Sequence, residues 1–387
     1  MAAKSNILYM KKSTPTKASS SASWKNVPVL KKGAPDLWLF MIVLFLVGIG
    51  VIMVFSASYF DTLPSDPYEY LKRQGSFACA GLLIMILAMN FNYQQYRFFA
   101  KPLLYVTVFL LVAVFFFPDI NGSHRWIPMG FISLQPSEVA KFTLALYIAD
   151  LLSQKNADPN DLKAELGHVA IVLGLVLVLV YKEPDLGAAI VMTGIGAAIL
   201  ITAGLNWFYV VAAAVMGGAM VSVLITASEY QMRRILGFLN PWGDPLGTGY
   251  QLINSLLALG SGGLFGVGIG GSRQKLGFLP EQNTDFIFSI IGEELGFIGA
   301  TAILALFLAL AWRGYMIAVR CPDFYGSLLA VGITTGLTFQ AAINLGVTIG
   351  ALPVTGVVLP FISYGGSSLL MSMGSIGVLL NISRYRR

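Results

Sequence analysis

The sequence predicts an all-α, polytopic membrane protein of about ten transmembrane helices, with a long extracytoplasmic loop between the seventh and eighth spans. Three observations predict it. Of the 387 residues, 56% are hydrophobic and only 11% are charged, with a mean hydropathy of +0.73; soluble domains carry about 25% charged residues. Apolar runs of roughly 20 residues, enough to cross a bilayer, recur along the chain. Lys and Arg gather where alternate segments would face the cytoplasm. The formal charge of +6 is therefore read as topology, and nucleic acid is not an expected partner.

Residues 1–35 are polar, with Ser, Thr and Lys interleaved, and read as a disordered cytoplasmic tail, not a signal peptide. Residues 36–387 form one integral membrane domain. Its first span is the run of 24 uncharged residues between Asp36 and Asp61. Further spans are expected at about 75–90, 102–117, 137–152, 167–181, 186–203, 208–227, 286–312, 325–347 and 367–383. With both termini inside, 16 of the 25 Lys and Arg fall on cytoplasmic segments, and residues 228–285 fall outside. Cys79 and Cys321 sit in a span and a cytoplasmic loop, so no disulfide framework is expected. His124 and His168 lie on opposite sides, and no zinc-type spacing occurs.

Polar residues concentrate in the expected outer segments. NGSHRWIP, from Asn121 to Pro128, leads into LQPSEVAK, ending at Lys141; Gly and Pro make this a short re-entrant or interfacial segment. Trp126 is either an interfacial anchor or a substrate neighbour. Glu138 and Lys141, three apart at a helix start, share a face and pair, structurally or along a polar cavity. Lys182, Glu183 and Asp185 interrupt two apolar runs around Pro184, as a plain turn or a polar cavity wall.

The longest such stretch is residues 241–296. Its glycines at 260–263 and 266–271 lack the strand and βαβ context of a nucleotide loop. They either pack helices closely or approach a phosphate. Arg273 and Lys275 follow, cations on the side where topology disfavours them, and they suit a pyrophosphate. Asp285 opens the eighth span, as a helix cap or a functional acid, with Glu281 four residues before it. Glu293 and Glu294 lie inside that span. Near the C-terminus, GALPVTGVVLPFISYGGSS breaks the apolar pattern and implies irregular backbone lining a cavity.

In order, NGSHRWI, LQPSEVAK, KEPDLG, the stretch from GYQLIN to GEELGF, and LPVTGVVLPFISYGGSSL resemble the SEDS family of bacterial wall synthesis, which comprises the FtsW, RodA and SpoVE proteins. The resemblance spans residues 36–383, and NPWGDPLGTGYQ and GSRQKLGFLPE place it nearest the FtsW cell-division branch. It implies a ten-span peptidoglycan glycosyltransferase polymerising lipid II at the outer face of a bacterial inner membrane, at the division septum. The family's essential aspartate lies in TDFIF, so Asp285 inherits its role, as general base. Arg125, Trp126, Glu138, Lys141, Lys182, Glu183, Asp185, Gln251, Arg273, Lys275 and Glu281 are the candidate substrate contacts. Where many division members have Glu, this chain has Gly277, which puts a regulatory role there in doubt. Implied partners are lipid II, membrane lipid, a class B penicillin-binding transpeptidase and other cell-division membrane proteins. No dedicated cofactor site is expected, and a divalent cation on the substrate pyrophosphate is the one candidate. Alternatives are the same polymerase serving elongation, a lipid II flippase with Glu138, Lys141, Glu293 and Glu294 along its path, or a non-catalytic division scaffold.

Overall fold

Backbone in hydrocarbon must satisfy its own hydrogen bonds, so long apolar runs become helices. The computed structural model describes residues 32–385 except 64–65, 119–123, 131 and 156. Expectations for the tail up to residue 31, for residues 121–123 and for Arg386 and Arg387 lie outside the described residues. The helices are α1 (Leu37–Thr62), α2 (Glu69–Asn90), α3 (Tyr96–Ala113), α4 (Pro136–Leu152), α5 (Glu165–Lys182), α6 (Leu186–Ala203), α7 (Trp207–Ala227), α8 (Glu229–Leu239), α9 (Tyr250–Ser261), α10 (Ile287–Arg320), α11 (Phe324–Thr348) and α12 (Gly366–Ser383). Two short antiparallel strands, β1 (Ile127–Met129) and β2 (Ile132–Leu134), pair Ile127 with Leu134.

Among the described residues eight helices are long and apolar enough to cross a membrane: α1, α2, α3 with its 3-10 flanks, α5, α6, α10, α11 and α12. The expectation of about ten also counts α4 and α7. In α7 the apolar stretch Trp207–Val223 is shorter. Glu138, Lys141 and Asp150 sit within the 17 residues of α4, which is buried over most of its length; other helices, not lipid, surround its charges.

Side chains cap several helices where the sequence turns polar. Asp36, Asp185, Asn206, Ser228 and Asp323 accept from first-turn N–H groups of α1, α6, α7, α8 and α11. The central helix α11 packs on α10, α6 and α4. Glycines bring α2 and α12 together: a Cβ at Gly377 would stand 2.5 Å from the Met85 carbonyl oxygen. At one end of the bundle the described termini meet. Gly33 N–H donates to Arg384 O at 2.8 Å, and Asp36 pairs with Arg313.

Residues 228–285, expected as one long extracytoplasmic loop, are largely structured. They hold two helices, α8 and α9, and a hairpin that enters the bundle. Ser255 on α9 donates to Thr348 O at 2.7 Å and lies 2.6 Å from Ser289 Oγ on α10. The glycine-rich turn then meets a break in α10 at Gly296 (φ 69°), about 14 Å along that helix from Ile287. Val267 and Gly268 N–H groups donate to the carbonyls of Glu293 and Glu294, at 3.0 and 3.1 Å. In return Phe297 N–H donates to Gly263 O at 2.8 Å. The turn thus supplies the partners that the helix loses at its break. Bare backbone is required here: a Cβ at Gly262 would stand 2.0 Å from Gly292 O, and one at Gly266 2.1 Å from Glu294 O. Close packing therefore accounts for these glycines.

Candidate active site

The hairpin's return limb climbs beside α1 and α10 and delivers residues 281–285 to the end of the bundle opposite the joined termini. There the limb is pinned to the irregular segment before α12. Asn344 Nδ2 donates to the Asp285 and Val357 carbonyls, both at 2.7 Å. Ser363 Oγ donates to Thr284 O at 2.6 Å, and Tyr364 N–H to Asn283 O at 2.8 Å. Glu281 and Phe361 adopt left-handed backbone, with φ of 53° and 68°, a strain that clusters at functional sites.

These segments enclose a cavity of about 870 Å³. Arg125 and Trp126 enter from just before β1, Tyr181 and Lys182 from the end of α5, and Gln251 from α9. Glu281, Thr284 and Asp285 form another wall, and Val354, Gly356, Val358 and Tyr364 a third. From α8 come Gln231 and Arg234, which no motif had singled out. Arg234 looks in sequence like a surface charge of an amphipathic helix. Its Nη1 donates to Val354 O at 3.1 Å, which turns it toward the cavity.

Asp285 is half-buried in this wall. Burial pushes its carboxyl up to about 7; the negative charges of Glu281 and Asp185 add to the rise, while Arg125 and Arg234 oppose it. A carboxylate poised near neutrality in a cleft is suited to general-base work. Gly356, at φ 73°, is the close neighbour: a Cβ there would stand 3.5 Å from both Arg125 Nη1 and Asp285 Oδ2. The cation and the acid therefore flank one spot. Arg125 is held by the Glu183 carbonyl, at 2.9 Å, and by the Pro184 carbonyl.

Of the candidates from sequence, Arg125, Trp126, Lys182, Gln251, Glu281 and Asp285 line the cavity. Six others do not. Glu183 is fully buried off the cavity, with neither carboxylate oxygen hydrogen-bonded. Burial first, then Asp185, push it up to about 9 against the pull of Arg125, so at neutral pH it is a neutral acid. Asp185 is spent on capping Ala188 N–H at 3.0 Å and on Gln135 Nε2 at 3.3 Å. Glu138 and Lys141 pair at 2.8 Å, as their spacing predicts. They line a separate void of about 30 Å³. Lys141 reaches the main cavity only indirectly: it donates to Gln340, whose Nε2 donates to the Val358 carbonyl at 3.0 Å.

Lys275 and Arg273 correct the sequence reading most sharply. Lys275 is 1% exposed and paired with Glu294 at 2.8 Å, so it is no pyrophosphate ligand. Arg273 is exposed away from the cavity, its N–H donating to Glu293 at 2.9 Å. The same contacts occupy Glu293 and Glu294, the acids a translocation path would need free. Among the described residues no group of three or more His, Cys, Asp or Glu is placed to hold a metal ion.

The FtsW, RodA and SpoVE family model, described as "Cell cycle protein", matches residues 37–387. Stage V sporulation protein E of Bacillus subtilis is 44% identical, the match covering 92% of this chain and 99% of that protein. A probable peptidoglycan glycosyltransferase FtsW of Geobacter metallireducens is 42% identical over 90% of this chain and 94% of its own length. Two solved structures align over 91% of this chain and 98% of theirs. One, from work on coordination of polymerization and crosslinking by a peptidoglycan synthase complex, has a TM-score of 0.74 at 30% identity. The other, the rod shape determining protein RodA of Thermus thermophilus, has a TM-score of 0.67 at 29% identity.

Proposed function

The chain belongs to the FtsW, RodA and SpoVE family of cell cycle proteins, and from that premise we propose that it is a peptidoglycan glycosyltransferase with Asp285 as its general base. The observation that carries this reading is the Asp285 carboxylate, pushed up to about 7 and facing a cavity of about 870 Å³ beside Arg125. Lipid II is the substrate that suits it. The 4-hydroxyl of one sugar attacks the anomeric carbon of another, and Asp285 takes the hydroxyl proton. The new C–O bond forms as the bond to the pyrophosphate breaks, and the lipid pyrophosphate leaves with the electron pair. Arg125, Lys182 and Arg234 are the cavity cations suited to that developing charge. Direct displacement by an external hydroxyl inverts an α-linked donor into a β-linked polymer and needs no second nucleophilic carboxylate. A divalent cation enters this reading only as a companion of the pyrophosphate.

In this reading the cavity faces outward from the cytoplasmic membrane, both termini lie inside, and the polymer serves the division septum. Similarity to FtsW proteins supports the septal role, and the Lys and Arg distribution supports the orientation. A crosslinking transpeptidase of the class B penicillin-binding type is the proposed partner. Similarity to a chain from a complex that coordinates polymerization with crosslinking supports it. The test is glycan synthesis from labelled lipid II by purified Asp285→Asn and Asp285→Ala. Both are expected to fold and to make no polymer. Polymerisation at the parent rate by either would remove Asp285 as the base.

A further inference from the structure

A second charged cluster lies outside the cavity, where α1, the return limb of the hairpin and the break in α10 meet. Glu294, fully buried, accepts from Ser56 Oγ at 2.7 Å, from Lys275 Nζ at 2.8 Å and from the Ser272 N–H at 3.4 Å. Lys275 also donates to Ser56 Oγ at 3.1 Å. Beside it, Glu293 accepts from Ser272 Oγ at 2.5 Å and from the N–H groups of Arg273 and Gln274, at 2.9 and 3.4 Å. Both oxygens of both acids are thus engaged. Seven residues beyond Lys275 along the limb, Gln282 Nε2 donates to Ala57 O at 3.0 Å, beside Ser56 on α1.

Stability alone does not account for this arrangement. A buried ion pair costs its desolvation, and well-packed apolar residues hold a core as well or better. What the charges add is direction. Lys275 and Ser272 tie the limb to one height on α10 and one side of α1, ten residues before Asp285. Glu281 and Asp285 hang from that anchor into the cavity. We infer that the Lys275–Glu294–Ser56 network is a positioning device for glycosyl transfer, setting where the limb presents the Asp285 carboxylate. It rests on the reading of Asp285 as base, and its residues touch no substrate.

The experiment compares the full-length protein with Lys275→Met/Glu294→Leu, Lys275→Arg, Glu294→Gln and Asp285→Asn, in lipid, with labelled lipid II. The double variant removes both charges together and is expected to keep the parent's thermal midpoint to within a few degrees. Its kcat is expected to fall about 100-fold, because a shift of about 1 Å at a reacting group costs that much. KM should stay within about twofold. The acid limb of its kcat profile should move down by about one pH unit. A slackened limb lets water reach Asp285 among its charged neighbours Glu281, Asp185, Arg125 and Arg234. Lys275→Arg should restore most of kcat. A double variant with parent kcat and an unmoved limb overturns the inference. Should that variant fail to fold, Glu294→Gln decides on the same two readouts. If Asp285→Asn polymerises normally, the base reading falls and takes this inference with it. If Asp285→Asn is inactive while the double variant is normal, only the positioning role falls.

Discussion

Arg125→Gln tests the electrostatic heart of the site. Arg125 Nη1 and Asp285 Oδ2 each lie 3.5 Å from the position of a Gly356 Cβ, and so stand no more than twice that apart. Two unit charges at about 7 Å interact by about 2.4 kcal/mol at an effective dielectric constant of about 20, and by about 0.6 kcal/mol in bulk water. At about 1.4 kcal/mol per pKa unit, that is between about 0.4 and 1.7 units. A cavity open to solvent but walled by protein falls between these limits, near one unit. The sign follows from charge. A cation favours the ionised carboxylate, so removing it raises the Asp285 pKa from about 7 toward about 8. Since the base must be ionised, the acid limb of kcat/KM moves to higher pH. At pH 7 the ionised fraction drops from about half to about a tenth, and it recovers by about pH 9. The assay is the initial rate of glycan formation from labelled lipid II across about pH 5.5–9.5, for parent and variant. Arg125 also holds two carbonyls, so the absolute rate can fall for other reasons; the position of the limb carries the prediction. A limb that stays put or moves down refutes the reasoning.

Other substitutions read other parts of the frame. Gly356→Ala forces a side chain onto φ 73° and sets a methyl 3.5 Å from both Arg125 and Asp285. The backbone cost is about 1–2 kcal/mol, and kcat/KM is expected to fall about tenfold, checked with the same assay beside a thermal melt. Lys141→Met leaves the buried Glu138 carboxylate without its 2.8 Å partner. The expected loss is about 3–5 kcal/mol, seen as a lowered thermal midpoint that Glu138→Leu in the same chain restores in large part. Gly377→Leu drives a side chain into the Met85 carbonyl, 2.5 Å from the ideal Cβ. It is expected to separate α2 from α12 and abolish the monodisperse peak in gel filtration.

The membrane-spanning helices were legible because a bilayer imposes one length on every crossing, and uncharged runs such as 37–60 display it directly. Its motif singled out Asp285, which the fold places in the cavity wall. The cavity around it was not legible, because six segments distant in sequence build it and spacing along the chain does not encode their meeting. Arg234 went unnoticed since i,i+4 charges on an amphipathic helix look alike whichever side faces inward. Lys275 misled for a related reason. A lysine on a polar, glycine-rich segment looks solvated, and only the hairpin's descent beside α10 reveals the buried Glu294 that claims it. The glycines themselves signalled close approach without saying to what; the answer was the open hydrogen bonds of a broken helix.

The joining of the two described chain ends bears on how the molecule is made. Asp36, at the entrance of α1, finds Arg313 only 277 positions later and Ser383 only 347 positions later. A ribosome releases α1 into the bilayer long before either exists. Until then Asp36 can cap the first turn of α1 through the Leu39 N–H, but α1 lacks α10, the helix it packs on most. In a chain truncated before Arg313, α1 therefore still packs on α2 but lacks its contacts with Arg313 and Ser383.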